Sequence, residues 1–120
     1  MFINLSNHPS DLWTDNQLNK ARQFGDIVDL PFPQIPASAD EEFIHHLVLN
    51  YVEDIKRQFN PTTDVLHIMG EMCFSFSLIK ELSTIGFTCV ASTTERIVKD
   101  NGNGHKDVFF NFVKFRKYNL

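Results

Sequence analysis

Three short polar segments hold most of the side chains in this 120-residue chain that could act on a ligand. Ser6-Asn7-His8-Pro9-Ser10 offers two hydroxyls, an amide and an imidazole. Gly70-Glu71 couples a permissive backbone position to a carboxylate, and Ser92-Thr93-Thr94-Glu95-Arg96 adds hydroxyls and a guanidinium. An imidazole titrates near neutrality, which makes His8 a candidate general acid or base. The planar guanidinium of Arg96 can grip a phosphate or carboxylate through two parallel hydrogen bonds. Glu71 is a candidate base, and Gly70 ahead of a helix would let the backbone turn so that free N–H groups aim at an anion. These residue types suit a phosphorylated small molecule or nucleotide. His8, Arg96 and Glu71 are the candidate catalytic residues, and Ser6, Asn7, Ser10, Gly70, Ser92, Thr93 and Thr94 the candidate ligand-binding ones.

Other groups with chemical potential read as structure. His45 and His46 lie about 100° apart on a helix, not on one face as metal ligands would, and no H-x-x-x-H occurs. With Glu41 and Glu42 at i,i+4 spacing, they describe a solvated face. His67 sits inside an apolar run and reads as a satisfied core residue. Cys73 and Cys89 lack a C-x-x-C partner, and no His–Asp arrangement marks either as a nucleophile. The absence of G-x-G-x-x-G and of a P-loop lysine motif excludes dinucleotide oxidoreductases and P-loop NTPases. No metal or cofactor is expected.

For the three segments to converge, they must lie at the ends of neighbouring strands. Phe2–Ser6 reads as a short buried strand ending in a polar turn. Thr14-Asp15-Asn16-Gln17 has capping-box spacing, and Leu18, Ala21 and Phe24 follow at helical spacing up to Gly25, predicting a helix over residues 14–24. Asp26–Leu30 reads as a second strand, after which Pro31, Pro33 and Pro36 enforce an extended loop. A second capping box, Ser38-Ala39-Asp40-Glu41, opens the most strongly patterned helix, whose stripe runs Phe43, Ile44, Leu47, Val48, Tyr51, Val52, Ile55 and Phe59. Val65–Met69 is a run suited to a strand buried on both faces. Leu78, Ile79 and Leu82 mark a third helix closed by Gly86, and Phe87–Ser92 a fourth strand. The tail carries Ile97-Val98-Lys99, an Asn101-Gly102-Asn103-Gly104 turn and a β-type run from Val108 to Phe115, a hairpin signal. The order predicts one α/β domain over residues 1–120, a three-layer Rossmann-like sandwich with a mainly parallel sheet and a C-terminal β-hairpin extension. Ligands of such sheets bind beyond the carboxyl ends of the strands, where strand order reverses.

Composition sets the outer limits. An apolar fraction of 42% with 22% charged residues belongs to a globular protein and argues against wholesale disorder. The net charge of -4 hides an asymmetry: six basic against two acidic residues from Arg96 onward, five against thirteen before it. A small anion near the last quarter of the chain fits this distribution, whereas duplex nucleic acid does not. No leader-like or membrane-spanning apolar run is present, and two cysteines make no disulfide framework, so a cytoplasmic location away from membranes is expected. Twelve Phe are unusual, and Phe109, Phe110, Phe112 and Phe115 alternate imperfectly with Asn111 and Lys114. Core plus dimer interface accounts for them better than base stacking, since an exposed Phe-rich sheet promotes aggregation.

Ser6-Asn7-His8-Pro9-Ser10 followed closely by Trp13 resembles the opening of small CRISPR-associated proteins with a CARF-like fold, one group of which ends a strand in Ser-Arg-His-Pro-Gly with a Trp shortly after. Asn7 and Ser10 stand where that group has Arg and Gly. The resemblance implies a homodimer that binds a cyclic oligoadenylate in antiviral signalling and cleaves it as a metal-independent ring nuclease, by attack of a ribose 2′-hydroxyl on its adjacent phosphate. On that reading Arg96 and backbone N–H groups near Glu71 stabilise the developing charge, and His8 is the acid or base. Ser6, Asn7, Ser92 and Thr93 position phosphate or ribose. Two further readings stand beside it: a non-enzymatic nucleotide sensor or adaptor using the same loops, and a structural dimer without ligand.

Overall fold

The computed structural model describes residues 1–119. Strand β1 (Phe2–Ser6) leads through a 3-10 turn at Ser10–Leu12 into helix α1 (Asp15–Arg22) and strand β2 (Ile27–Asp29). Helix α2 (Glu41–Gln58), strand β3 (Val65–Met69) and helix α3 (Met72–Thr84) follow, then two long strands, β4 (Thr88–Asp100) and β5 (Lys106–Lys117). The sheet order is β2-β1-β3-β4-β5, with β5 alone antiparallel. Helix α1 packs on one face and α2 with α3 on the other, giving the expected Rossmann-like sandwich. The chain winds from β1 outward to β2, then back past β1 to β3, and this reversal opens a crevice at the carboxyl ends of β1 and β3.

Strand alternation sorts the residues between two unlike cores. Ile3, Leu5, Leu66, Ile68 and Cys89 point toward α2 and α3, where Val48, Val52, Ile55, Phe74, Leu78 and Leu82 close an aliphatic core. Phe2, Asn4 and Ser6 of β1, with Val65 and His67 of β3, point toward α1, where Trp13, Ala21, Val90 and Phe115 meet them. Helix α1 begins where its pattern predicts, with Thr14 Oγ1 accepting from the Gln17 N–H at 3.3 Å. At α2 the cap is Asp40, not Ser38: its carboxylate accepts from the Phe43 N–H at 3.0 Å, while Ala39 closes a turn onto the Pro36 carbonyl.

The largest departure from the sequence expectation concerns Ser92–Arg96. These residues form no loop at a strand end; β4 runs through them to Asp100, paired with β5 along its whole outer length. Thr93, Thr94, Ile97 and Val98 are β-branched, and the partner strand satisfies the backbone of the polar residues between them. Only Thr88–Val90 of β4 pair with β3, so beyond that point the two strands project as an arm. The radius of gyration, 16.2 Å with a longest dimension of 52 Å, accordingly exceeds that of a compact chain of this length, about 14 Å.

A bulge explains the imperfect Phe alternation. Thr93 pairs with Lys114 and Thr94 with Phe112, so Val113 has no opposite number. The extra residue reverses the parity of β5, bringing Phe110 and Phe112 to the same face as Phe115. Helix α1 holds the bulge from one side, Asn16 Nδ2 donating to the Phe112 carbonyl and Lys20 Nζ to that of Val113.

Candidate functional site

Strand register assembles a polar row inside the α1-side core. Asp29, Asn4 and His67 are successive cross-strand partners on β2, β1 and β3. Asn4 is 1% and His67 2% exposed, so their polar atoms must be satisfied internally. Asn4 Nδ2 donates to Asp29 Oδ1 at 2.9 Å and to the His8 carbonyl at 2.8 Å. Asn4 Oδ1 receives Ser6 Oγ at 2.7 Å and faces His67 Nδ1 at 2.9 Å. The other ring nitrogen, Nε2, lies 2.6 Å from Ser92 Oγ. Burial among Phe2, Trp13 and Phe115, and secondarily the proximity of His8, pushes the His67 pKa down to about 4, so the ring is neutral at physiological pH.

The same row pins the loop after β1. The His8 carbonyl also receives Trp13 Nε1 at 3.2 Å and Ser6 Oγ at 3.2 Å, and the His8 N–H returns to Ser6 Oγ. Ser10 anchors the following turn on Asp29, Oγ to Oδ2 at 2.7 Å and N–H to Oδ1 at 3.2 Å. The backbone of His8 is thus drawn inward while its residue stays exposed.

Above the row lies a cavity of about 470 Å³. Ser6, His67, Ser92 and Gln17 form its polar floor; Trp13, Leu12, Met69, Phe110 and Phe112 form apolar walls; His8 and Thr94 stand at its mouth. Arg96 lies two residues beyond Thr94 on the same face of β4, in register with Phe110. Among the described residues, no lysine or arginine lines the cavity itself.

Of the predicted site residues, Ser6, His8, Ser92 and Thr94 meet here, with Arg96 at the outer rim. The others go elsewhere. Asn7 and Glu71 face a second cavity of about 660 Å³ at the β1–β2 end of the row, lined by Asn4, Asp29, Pro31, Phe32 and Pro33 and sharing Ser6 with the first. Glu71 caps α3, its carboxylate accepting from the Cys73 and Phe74 N–H groups at 3.0 and 2.7 Å. Those bonds hold its carboxyl below the usual range, and the N–H groups expected to meet an anion are occupied by it. Gly70 does not adopt positive φ; a Cβ there would stand 2.2 Å from the Phe32 ring, so its smallness admits that ring. Thr93 points away from the cavity and spends its hydroxyl on the backbone of Lys114 beside the bulge. Ser10 is committed to Asp29. Cys89 is buried, which raises its thiol pKa to about 11, and the Glu71 carboxylate raises that of Cys73.

His67 is the satisfied core residue the sequence predicts, buried with both ring nitrogens hydrogen-bonded inside the protein; sequence reasoning missed that Asn4 and Asp29 join it in one row. The signal was present in the alternation: Asn4 and Ser6 interrupt β1 at every second residue, and His67 takes the matching position in β3.

A family model described as the uncharacterized protein MJ1673 family matches residues 1–116. No curated protein and no solved structure matches the chain.

Proposed function

The chain belongs to that family; from its cavity and from the resemblance of its opening segment, we propose that it binds a cyclic oligoadenylate, seating one nucleoside in the α1-side cavity and cutting the ring there. The observation that carries the reading is the cavity itself. It lies at the point of strand reversal, within the usual size range of small-molecule sites, with aromatic walls and a few convergent polar groups. Trp13, Phe110 and Phe112 suit the flat face of a base. Arg96 at the rim supplies the cation for the phosphates and for the charge that develops on phosphorus.

In the reaction the ribose 2′-oxygen bonds to the adjacent phosphorus and the bond from phosphorus to the 5′-oxygen breaks. The products are a 2′,3′-cyclic phosphate and a 5′-hydroxyl. His8 takes the 2′ proton, and water returns a proton to the departing 5′-oxygen. A two-fold dimer would present two copies of the cavity to one ring. The outer arm supports such pairing: Val98 and Val108, cross-strand partners beyond the cavity, are each 43% exposed, and Phe109 on the opposite face is 47% exposed.

A thermal-shift screen against cyclic tri-, tetra- and hexa-adenylate, ATP and AMP tests the reading, with products followed by chromatography in EDTA. A cyclic oligoadenylate at 100 times its Kd should stabilise the fold by about 2.7 kcal/mol and then disappear. His8→Ala should retain the shift and slow turnover by about 10²–10⁴-fold. A shift without turnover would leave a sensor, for which the same cavity suffices. No shift with any nucleotide would leave the arm-mediated dimer, measurable by sedimentation.

A further inference from the structure

We infer that the two hydroxyls in the floor of the α1-side cavity, Ser92 and Ser6, offer a ligand hydrogen-bond acceptors and no proton, so that they select an N–H or O–H donor of base or ribose and turn phosphate away to the rim. The inference deepens the function proposed above and rests on it for the identity of the ligand.

The protons along the row have one consistent placement. Asp29 Oδ1 and the His8 carbonyl can only accept, so the amide nitrogen of Asn4 must face them and its oxygen must face the other way. That oxygen also only accepts. His67 Nδ1, 2.9 Å from it, must therefore carry the ring proton. A neutral imidazole has one N–H, so Nε2 is bare and its neighbour Ser92 Oγ, at 2.6 Å, must donate. Ser6 Oγ has likewise one proton, drawn to Asn4 Oδ1 at 2.7 Å with the His8 carbonyl at 3.2 Å on the same side.

Both floor hydroxyls thus turn their protons inward; Ser6 Oγ also accepts the His8 N–H at 3.2 Å, which leaves Ser92 Oγ the freer acceptor toward the cavity. The Gln17 amide, 3.4 Å from Ser92 Oγ, is a long contact that leaves room for a better donor. A phosphate oxygen has no proton to offer, and set against two acceptors it would be repelled. An exocyclic amino group or a ribose hydroxyl has the complementary chemistry. The ligand is oriented accordingly, nucleoside inward and phosphate outward toward Arg96.

Two measurements test this. The first needs no ligand: ¹⁵N spectra of histidine-labelled protein at pH 7. His67 should show a pyrrole-like Nδ1 and a pyridine-like Nε2, and Ser92→Ala should move the Nε2 resonance. The opposite tautomer would free the Ser92 proton for phosphate and overturn the inference. The second is titration with adenosine, inosine, 2′-deoxyadenosine and inorganic phosphate. Adenosine should bind, about tenfold more weakly in Ser92→Ala, while phosphate leaves the His67 signals unmoved. A selective loss with inosine identifies the amino group as the donor, and one with 2′-deoxyadenosine identifies the hydroxyl. Phosphate binding that depends on Ser92 would overturn the inference. If the spectrum shows Nδ1–H and no nucleoside or cyclic oligoadenylate binds, the nucleotide reading falls and the inward turn of the Ser92 proton stands.

Discussion

The two faces of the sheet are made by the same strands and do different things. Toward α2 and α3, β1 and β3 present Ile3, Leu5, Leu66 and Ile68, which enter a core of apolar side chains. Toward α1 the same strands present Asn4, Ser6 and His67 among aromatic rings, joined by a continuous chain of hydrogen bonds from Asp29 to Ser92. Because strand side chains alternate with period two, one residue of offset separates a core that only stabilises from one that presents chemistry. The aliphatic core itself is filled, and beside it lies a surface groove between α2 and α3. The polar side costs more to bury, and its geometry ends in a cavity.

This contrast predicts different failures on the two sides. The largest stability loss should come from the aliphatic side: Leu66→Ala should destabilise by about 2–5 kcal/mol in urea denaturation, the usual range for a fully buried Leu. The second should appear only on the polar side, as a pH dependence. The pKa of His67 is lowered to about 4 in the fold, so between that value and about 6.5 the unfolded chain binds more protons than the folded one. Stability from this group is complete above about pH 6.5 and declines as pH falls toward 4, by about 3 kcal/mol in all. His67→Gln, which keeps polar contacts without titrating, should flatten the profile, and an unchanged slope would assign it to other groups.

Smaller effects sharpen the comparison. Gly70→Ala forces a methyl into the Phe32 ring on the far side of β1, and should cost about 1–3 kcal/mol by overpacking while sparing the α1-side cavity. Removing the caps should be nearly symmetric in stability, Thr14→Ala and Asp40→Ala each costing about 1 kcal/mol. Only Thr14→Ala, at the helix that frames the cavity, should also weaken ligand binding.

What the sequence disclosed follows the same division. Strands β1 and β3, all three helices and the sheet class were legible because their apolar periodicities are long or clean and their caps are local signals. Ser92–Arg96 misled because hydroxyl and charged residues resemble a loop when the strand that pairs with them lies some twenty residues downstream. The Phe pattern of β5 looked irregular because a bulge changes parity without any sequence mark as plain as a glycine. Of the site, the His8 loop was legible from its polar residues, whereas the Asp29–Asn4–His67 row depends on the register of three strands, which no local signal fixes. The types of Glu71 and Gly70 allow an anion site, but packing gives the first to a helix cap and the second to Phe32.

The central claim is that the α1 side, and not the α2–α3 side, receives the ligand. The direct test is an amide ¹H–¹⁵N titration of the protein with cyclic tetra-adenylate. Shifts confined to Ser6, His8, Trp13, Gln17, Ser92, Thr94 and Phe112 are the expected result. Shifts centred instead on Asp40, His45, Cys73 and Lys80, which line the groove between α2 and α3, would contradict it.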